Sequence, residues 1–524
     1  MLPSRLLSAS AALLFAVNVF SQHTNVLVGN QNDPNEPSIC INPKNPQQMV
    51  AGANIQNVYY SDDSGASWTQ TPVTCPWGIW GDPVIGTDTT GAFFFLHLSN
   101  PPQPGNWIDR IIAQKSTNGG QTWSPGSYMG LNGDKAQDKH WIATDWKSNA
   151  LYVTWTQFDQ YGSSAAADSS VILFAKSTNG GASWSPAQRI NRLAGDCVDS
   201  DYTAEGAVPA VGPAGEVYVA WANRNQIWFD RSLDGGTTWL AQDILVGDQP
   251  GGWDYAVPGI YRANGLPVTV CDTSGGAHHG TIYINWSDQR NGAHNTDIWL
   301  SKSTDGGITW SAPIRVNDDA TERQQFFTWM TVDQKTGWLW FVFYDRRHYA
   351  DLRTDVYMAV SKDGGATFQN FKVSESPFIP QEGYFFGDYT NISAWNNIVR
   401  PIWTRLHNGN LSVWTALVQP DALVPAQEAT PDNEPLFSVE NPYPNPAAAV
   451  SGFSFKLRKN ALVSLSIVDM QGGVRARLID REQRGPGKYL EKIEARQSGI
   501  PAGTYFLVLD VDGQTAKRKV VFLE

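Results

Sequence analysis

The octapeptide STDGGITW at residues 303–310 decides the fold, because five variants of it recur along the chain. Every copy has Ser first, Asp or Asn third, Gly fifth, Ser or Thr seventh and an aromatic residue last. The other copies are SDDSGASW from Ser61, STNGGQTW from Ser116, STNGGASW from Ser177, SLDGGTTW from Ser232 and SKDGGATF from Ser361. Repetition at this period indicates one structural unit that is copied along the chain.

Each octapeptide has the chemistry of a tight hairpin turn. The Asp or Asn side chain can accept hydrogen bonds from nearby backbone amides, and glycine allows a positive φ. The closing Trp or Phe has a large apolar area. We therefore expect this aromatic side chain to be buried between neighbouring units.

The octapeptide resembles the Asp box, or BNR repeat, of sialidases and related β-propellers, and the resemblance covers roughly residues 31–418. It implies a ring of four-stranded blades with each box between the third and fourth strands. The box occurs in hydrolases, lyases, receptors and binding propellers alike, so it does not select among functions.

The strand pattern predicts one more unit than there are boxes. Residues 389–418 contain three strand-like segments, TNISAW, VRPIWTR and LSVWTAL, without a box. The segment NVLVG at residues 25–29 has strand character and can supply the missing fourth strand. We therefore predict an all-β fold with a seven-bladed propeller over residues 25–418, with six blades as the alternative.

The two ends of the chain differ from the repeats. Arg5 followed by a mostly apolar stretch predicts a secretory signal peptide at residues 1–21. A transmembrane helix is the alternative, but the stretch is shorter than the ~20 residues that a bilayer needs. The proline-containing residues 419–440 are expected to be a linker, followed by a small β-sandwich at residues 441–524.

The C-terminal segment resembles the sorting domain of the bacterial type IX secretion system. Four pieces carry the resemblance: YPNP from Tyr443, IVDMQGG from Ile467, GIPAGTYFLVL from Gly499 and the terminal KRKVVFLE. The resemblance implies the secretion machinery as a partner and a secreted or cell-surface location. An ordinary adhesive sandwich is the alternative.

Composition argues against several classes of partner. The 524 residues include 22 Trp, 18 Tyr and 22 Phe, which favours strands, and the net charge of −12 disfavours nucleic acid. No second segment is long and apolar enough to be a membrane span. The four cysteines lack a CxxC pair, and no Asp-rich loop has calcium spacing, so neither a metal nor a cofactor is expected.

Candidate site residues lie in the loops on the face opposite the boxes. Several of them precede the first strand of a unit and should converge near the axis of the ring. These residues are Glu36, Asp82, Asp138, His140, Glu205, Asp388 and Tyr389. The candidate catalytic residues are Asp82, Glu205, Tyr389, Asp388 and His140, although the acids could instead cap turns and His140 could simply be packed.

Arginines that follow the second strands are the candidate substrate ligands, because a guanidinium group can bind a carboxylate with two hydrogen bonds. They are Arg224, Arg290, Arg346, Arg347 and Arg405. The spacing Asp288-x-Arg290, repeated at Asp345-x-Arg347, has an alternative reading as an ion pair within each loop.

The sialidase resemblance implies Tyr389 as nucleophile, Glu205 as its activating base and Asp82 as acid and base. Sialidases also have an arginine, an apolar residue and a proline before the first inner strand, where this chain has Asn35, Glu36 and Pro37.

Three functions remain open from the sequence, each with an extracellular glycan as a possible partner. The first is a sialidase-like glycoside hydrolase. The second is a polysaccharide lyase that uses His140, Tyr389 and an arginine on a uronate. The third is a non-catalytic binder of a glycan or a protein, and Trp80, Trp107 and Trp253 could stack on sugar rings in all three.

Overall fold

The computed structural model describes residues 23–102, 107–420, 436–469, 473–495 and 498–523. It divides the chain into two units, Met1–Ala429 and Thr430–Glu524. All regular structure in the described ranges is β-strand, so the all-β prediction is confirmed. Those ranges contain no helix that could cross a membrane. The expected signal peptide at residues 1–21 and most of the expected linker lie outside the described residues.

The described residues of the first unit form seven four-stranded sheets and one two-stranded sheet. It begins with β1 (Thr24–Gly29). Sheet 1 is β2 (Ser38–Ile41), β3 (Met49–Ala53), β4 (Asn57–Ser61) and β5 (Thr69–Thr71). Sheet 2 is β6 (Gly81–Thr87), β7 (Phe93–Leu98), β8 (Ile111–Ser116) and β9 (Ser127–Met129). Sheet 3 is β10 (Ala136–Thr144), β11 (Leu151–Phe158), β12 (Ser170–Ser177) and β13 (Gln188–Arg189).

The order of strands stays the same in the next sheets, apart from one insertion. Sheet 4 is β14 (Glu205–Val211), β15 (Val217–Asn223), β16 (Gln226–Ser232) and β17 (Ile244–Asp248). The inserted two-stranded sheet is β18 (Asp254–Tyr255) and β19 (Ala263–Asn264). Sheet 5 is β20 (Val268–Cys271), β21 (Ile282–Asp288), β22 (Asp297–Ser303) and β23 (Ile314–Arg315).

The last two sheets complete the unit. Sheet 6 is β24 (Gln325–Asp333), β25 (Trp338–Asp345), β26 (Asp355–Ser361) and β27 (Gln369–Lys372). Sheet 7 is β28 (Asn391–Trp395), β29 (Ile398–His407) and β30 (Asn410–Leu417), with β1 from the start of the chain paired to β30. The pairing protects the edge of β30 and joins the two ends of the unit.

The first strands of the seven sheets contact one another in a closed cycle. β2 contacts β6, each first strand contacts the next, and β28 contacts β2. Large side chains of the second strands fill the core: five tryptophans there are fully buried, namely Trp155, Trp221, Trp286, Trp340 and Trp403. Burial of such large apolar side chains is the main stabilising contribution of a core.

The third strand of each of sheets 1 to 6 ends on the Ser of a box, and the turn forms as its chemistry predicts. In the fifth box the Ser303 hydroxyl donates to Asp305 at 2.7 Å and accepts from the Gly307 amide at 2.8 Å. Gly307 has a φ of 86°, a conformation that only glycine adopts easily. We expected the aromatic residue that ends each box to be buried. This prediction is wrong, because all six of these residues are only half-buried.

The second unit contains two sheets. Its strands are β31 (Phe437–Val439), β32 (Val450–Leu457), β33 (Ala461–Val468), β34 (Val474–Arg484), β35 (Gly487–Glu494), β36 (Gly503–Val511) and β37 (Gln514–Phe522). One sheet has the order β31-β32-β35 and the other β34-β33-β36-β37. Apolar side chains of both, such as Phe453 and Leu507, belong to one core. β31 falls within the residues expected to be a linker.

The pairing of β1 with β30 gives a test of the closed cycle. Val28 is 5% exposed and packs in a core with residues of sheets 1 and 7, whereas its neighbour Leu27 is 39% exposed. We predict that Val28→Asp lowers the free energy of unfolding by about 3 kcal/mol or more, because it buries an unpaired charge. Leu27→Asp should change it by less than about 0.5 kcal/mol. Denaturant unfolding measures both changes in free energy. Equal losses for Val28→Asp and Leu27→Asp would contradict the pairing of β1 with β30 that closes the cycle.

Candidate functional site

Irregularities in the first strands position the site. The pairing register shifts between Gly81 and Val84 in β6, and again between Asp138 and Trp141 in β10. Asp82 and Lys139 stand at these shifts with φ of 51° and 49°, and Glu36, just before β2, has a φ of 50°. A bulge redirects the side chain it carries, and left-handed non-glycine residues cluster at functional sites.

Lys139 is the centre of the site. Its ammonium nitrogen Nζ lies 2.6 Å from Asp388 Oδ2, 3.4 Å from Asp82 Oδ2 and 4.0 Å from Glu36 Oε1. Burial alone would lower the pKa of Lys139, but the charges of Asp388, Asp82 and Glu36 raise that pKa well above its usual value. A permanent positive charge on sheet 3 therefore joins carboxyl groups from three other sheets or the loops that precede them.

A second cation, Arg262, approaches from the loop between β18 and β19. Its Nε donates to Asp388 Oδ1 at 2.9 Å, its Nη2 also pairs with Asp388, and its Nη1 lies 3.3 Å from Asp199 Oδ2. Burial would raise the pKa of Asp388, but Lys139 and Arg262 together hold that pKa well below its usual range. Asp388 therefore serves as a fixed anion between two cations.

Three other acids of the site, Asp138, Glu36 and Glu205, have raised pKa values. Burial, then the charge of Asp82, raises the pKa of Asp138 to about 8. Burial also raises the pKa of Glu36 and Glu205 well above its usual value. Neither carboxyl oxygen of Glu205 has a hydrogen-bond partner among the described residues. Since neutral pH lies below the pKa of Asp138, this carboxyl group is mostly protonated there.

Several of these groups line a cavity of about 130 Å³, whereas Asp388, Asp199 and Glu205 do not. Its lining is Glu36, Asn54, Trp80, Asp82, Leu98, Trp107, Ile108, Asp138, Lys139, Tyr161, Arg262 and Phe385. The indole rings of Trp80 and Trp107 are each 41% exposed and meet edge to face with centroids 5.6 Å apart. A cavity with carboxyl groups at its base and exposed aromatic rings at its wall can hold a sugar ring by stacking.

Two of the predicted catalytic residues, Asp82 and Asp388, meet in this way at Lys139. Glu205 is buried, and burial, then the charges of Asp199 and Asp138, raises its pKa well above its usual value. The other two are buried beside this cluster, and the Tyr389 ring centroid lies 6.0 Å from Lys139 Nζ. Tyr389 is buried against Trp141 and Trp329 and borders a separate cavity of about 20 Å³. His140 is buried, and burial lowers its pKa to about 4. Neither residue lines the 130 Å³ cavity.

The five predicted arginine ligands do not line the cavity either. Arg290 pairs with Asp288, and Arg347 pairs with Asp345 and Asp318, so the Asp-x-Arg spacing forms the ion pair that was the alternative reading. The other three have separate positions: Arg224 is exposed, Arg346 donates to Thr354, and Arg405 donates to Ser376. An arginine two residues from an aspartate satisfies its charge locally.

Sequence reasoning missed Lys139, Arg262 and Asp199. A signal for Lys139 was present, because Glu36, Asp82 and Lys139 each stand three residues before an isoleucine of a first strand. Aligning the units on that isoleucine brings the three charged residues to one position. Arg262 and Asp199 lie in loops that do not repeat, and no such signal could identify them.

The site is not arranged as a metal centre. Among the described residues, no three His, Cys, Asp or Glu side chains are spaced to hold a metal ion. The Lys139 ammonium group occupies the place between the carboxylates that a cation would take. All four cysteines, Cys40, Cys75, Cys197 and Cys271, are free thiols.

Comparison with known proteins gives one sequence match and several structural ones. The model of the BNR/Asp-box repeat matches residues 302–312, and no curated protein matches the chain. Similar solved structures include the NanB sialidase from Streptococcus pneumoniae, with 10% identity over 72% of this chain and 84% of that chain and a TM-score of 0.42.

Two other similar structures come from different enzyme classes. The Penicillium chrysogenum alpha-L-arabinanase has 13% identity over 61% of this chain and 92% of that chain, with a TM-score of 0.39. A PL25 ulvan lyase has 11% identity over 74% of this chain and 95% of that chain, with a TM-score of 0.46. At these identities and TM-scores the likeness assigns neither an activity nor a substrate.

The ion pairs of Lys139 predict a large effect of its removal. We expect Lys139→Met to lower the free energy of unfolding by about 3 to 5 kcal/mol, because Asp388 and Asp82 lose their shared partner in a buried position. The double variant Lys139→Met with Asp388→Asn should lose less free energy of unfolding than Lys139→Met alone. The exposed Lys44 provides the matched control, Lys44→Met. Denaturant unfolding would contradict the arrangement if Lys139→Met and Lys44→Met behaved alike.

Proposed function

We propose that this protein is a glycoside hydrolase that cleaves an uncharged sugar from an extracellular glycan. The observation that supports the proposal most is that Asp138 and Asp82 border one cavity in different states. Asp138 has its pKa raised to about 8 and can give a proton. Asp82 forms an ion pair with Lys139 and can accept one. Glycoside hydrolysis needs such a pair of carboxyl groups with different protonation.

The proposed reaction assigns one role to each residue. Asp138 donates its proton to the glycosidic oxygen as the bond from that oxygen to the anomeric carbon breaks. Asp82 accepts a proton from the water whose oxygen forms the new bond to that carbon. The proton taken up by Asp82 then leaves to solvent, and Asp138 is protonated again. Lys139 holds Asp82 in place and does not touch the reacting atoms.

The charges of the site favour an uncharged sugar over an acidic one. Lys139 pairs with Asp82 and Asp388, and Arg262 pairs with Asp388 and Asp199, so both cations of the site are already paired. A sialic acid or a uronate would bring a further carboxylate without a free partner. This argues against sialidase action and against the lyase alternative. The buried Tyr389, whose pKa burial raises well above its usual value, is also poorly suited to be a nucleophile.

A non-catalytic glycan binder is the remaining alternative. The exposed rings of Trp80 and Trp107 would serve such a protein equally well, whereas Trp253 is buried. A binder has no use for a carboxyl group whose pKa is raised to about 8 beside a second carboxylate. Perturbed acids in a cavity are typical of catalysis, and we therefore favour the hydrolase.

For the fold we propose a seven-bladed propeller built from sheets 1 to 7, followed by a small β-sandwich. The closed cycle of first strands and the single core of the second unit support these assignments. We further propose that residues 1–21 are a signal peptide and that residues 441–524 direct type IX secretion to the outside or the surface of the cell.

The proposed catalytic pair predicts that two variants respond differently to the leaving group. A screen of uncharged polysaccharides and aryl glycosides, with sialosides and uronates included, first identifies the sugar that is cleaved. Asp82→Asn should then lose about 10²-fold or more of kcat/KM on every substrate. Asp138→Asn should show the same loss of kcat/KM on ordinary glycosides. Its loss of kcat/KM on the glycosyl fluoride should be far smaller, because fluoride leaves without a proton.

The exposed Asp134 provides the matched control, and Asp134→Asn should behave like the unmodified protein. Cleavage of sialosides or uronates alone would contradict the proposed substrate class. An unmodified protein that binds glycans and cleaves none would point to the binder.

The export proposal makes a separate prediction. In a host with type IX secretion, a chain that ends at residue 440 should accumulate in the periplasm, while the full chain reaches the outside. Fractionation and immunoblotting measure both, and the hydrolase activity of the shortened chain reports whether its first unit has folded. Equal export of the two chains would contradict a sorting role for residues 441–524.

A further inference from the structure

A second, larger hollow lies beside the 130 Å³ cavity. Its volume is about 730 Å³, and its walls come from the loop between β18 and β19 and from residues near Gln289, His294 and Glu382. Tyr261 lines it with 64% of its surface exposed. Such exposure of an aromatic residue at a concave surface is typical of a binding site.

The two spaces share an aromatic wall. Tyr261 lines the hollow and Phe385 lines the cavity, and their rings meet edge to face with centroids 6.2 Å apart. Arg262, the next residue after Tyr261, lies over the Phe385 ring at 5.5 Å and forms part of the cavity. The edge of the hollow is therefore also the edge of the proposed reaction site.

Two of the loops around the hollow, the one between β18 and β19 and the one that carries Glu382, contact each other. The Gly259 amide donates to Glu382 Oε1 at 3.3 Å. Gly259 has a φ of 79°, and a Cβ atom there would lie 3.0 Å from Leu352 and 3.3 Å from the Pro380 carbonyl oxygen. Since only glycine fits this approach, the loop is fixed beside residues 380–386.

The sizes of the two spaces indicate how a glycan would divide between them. A volume of 130 Å³ is below the range of about 300–1,000 Å³ in which sites enclose a whole drug-sized ligand, whereas 730 Å³ falls within it. The cavity therefore has room for a single sugar unit, and any further units must lie outside it. The hollow is the adjoining space of sufficient size.

We propose that the hollow binds the part of the glycan chain beyond the scissile bond, with the Tyr261 ring stacked on the nearest leaving sugar. This inference rests on the proposed hydrolase function and specifies its substrate as a chain of several uncharged sugars. Gln289 and His294 also line the hollow and have polar groups that can form hydrogen bonds with sugar hydroxyl groups.

The test compares substrates that do and do not reach the hollow. For the sugar found in the screen, kcat/KM is measured on the glycosyl fluoride, which has no leaving sugar, and on oligosaccharides of two to six units. Tyr261→Ala should lower kcat/KM for the longer oligosaccharides about tenfold more than kcat/KM for the fluoride. The control is Tyr128→Ala, an exposed aromatic residue of β9, which should lower neither value.

Equal losses on the fluoride and the oligosaccharides, or equal rates for all chain lengths in the unmodified protein, would overturn the inference. If no substrate is cleaved at all, the proposed function fails, and the hollow is tested by affinity electrophoresis in arabinan, xylan, galactan and β-glucan gels. Retardation that Tyr261→Ala abolishes and Tyr128→Ala retains would support a glycan-binding hollow. Absence of retardation in all four gels would overturn it.

Discussion

The structure of the site depends on the ammonium group of Lys139. This group is buried where the first strands of sheets 1, 2, 3 and 7 come together, and it pairs with Asp388 and Asp82 while Glu36 stands at 4.0 Å. Without it, several carboxylates would face one another in a medium that screens charge poorly. Asp138 has no such ion pair among the described residues, and burial, then the charge of Asp82, raises its pKa to about 8.

The scaffold could be predicted from the sequence because its signals are local. A box contains within eight residues the Ser, Asp and Gly that close its own turn, and the strand character of β1 is visible without knowledge of its partner. The half-burial of the closing aromatics could not be predicted in this way. It depends on how closely neighbouring sheets approach, which no octapeptide encodes.

The site could be predicted only in part, because it depends on contacts between residues that are distant in the sequence. Asp82 and Asp388 were identified because the sequence pattern placed both before first strands, although Asp82 lies within β6. The arginines were assigned to a ligand, but Asp288 and Asp345 pair with two of them. Arg262 reaches the cavity from an inserted loop whose path is a tertiary property. Charge balance is likewise a property of the assembled site, and it is the reason why we propose an uncharged sugar rather than a sialoside or a uronate.

The central claim is that Asp138 is a protonated acid at neutral pH beside the paired Asp82. The most direct measurement is isotope-edited infrared titration of the Asp138 carboxyl group, identified as the signal lost in Asp138→Asn. The account predicts a carboxylic acid band that disappears with a midpoint near pH 8. A midpoint near pH 4, the ordinary value for an aspartate, would contradict the account.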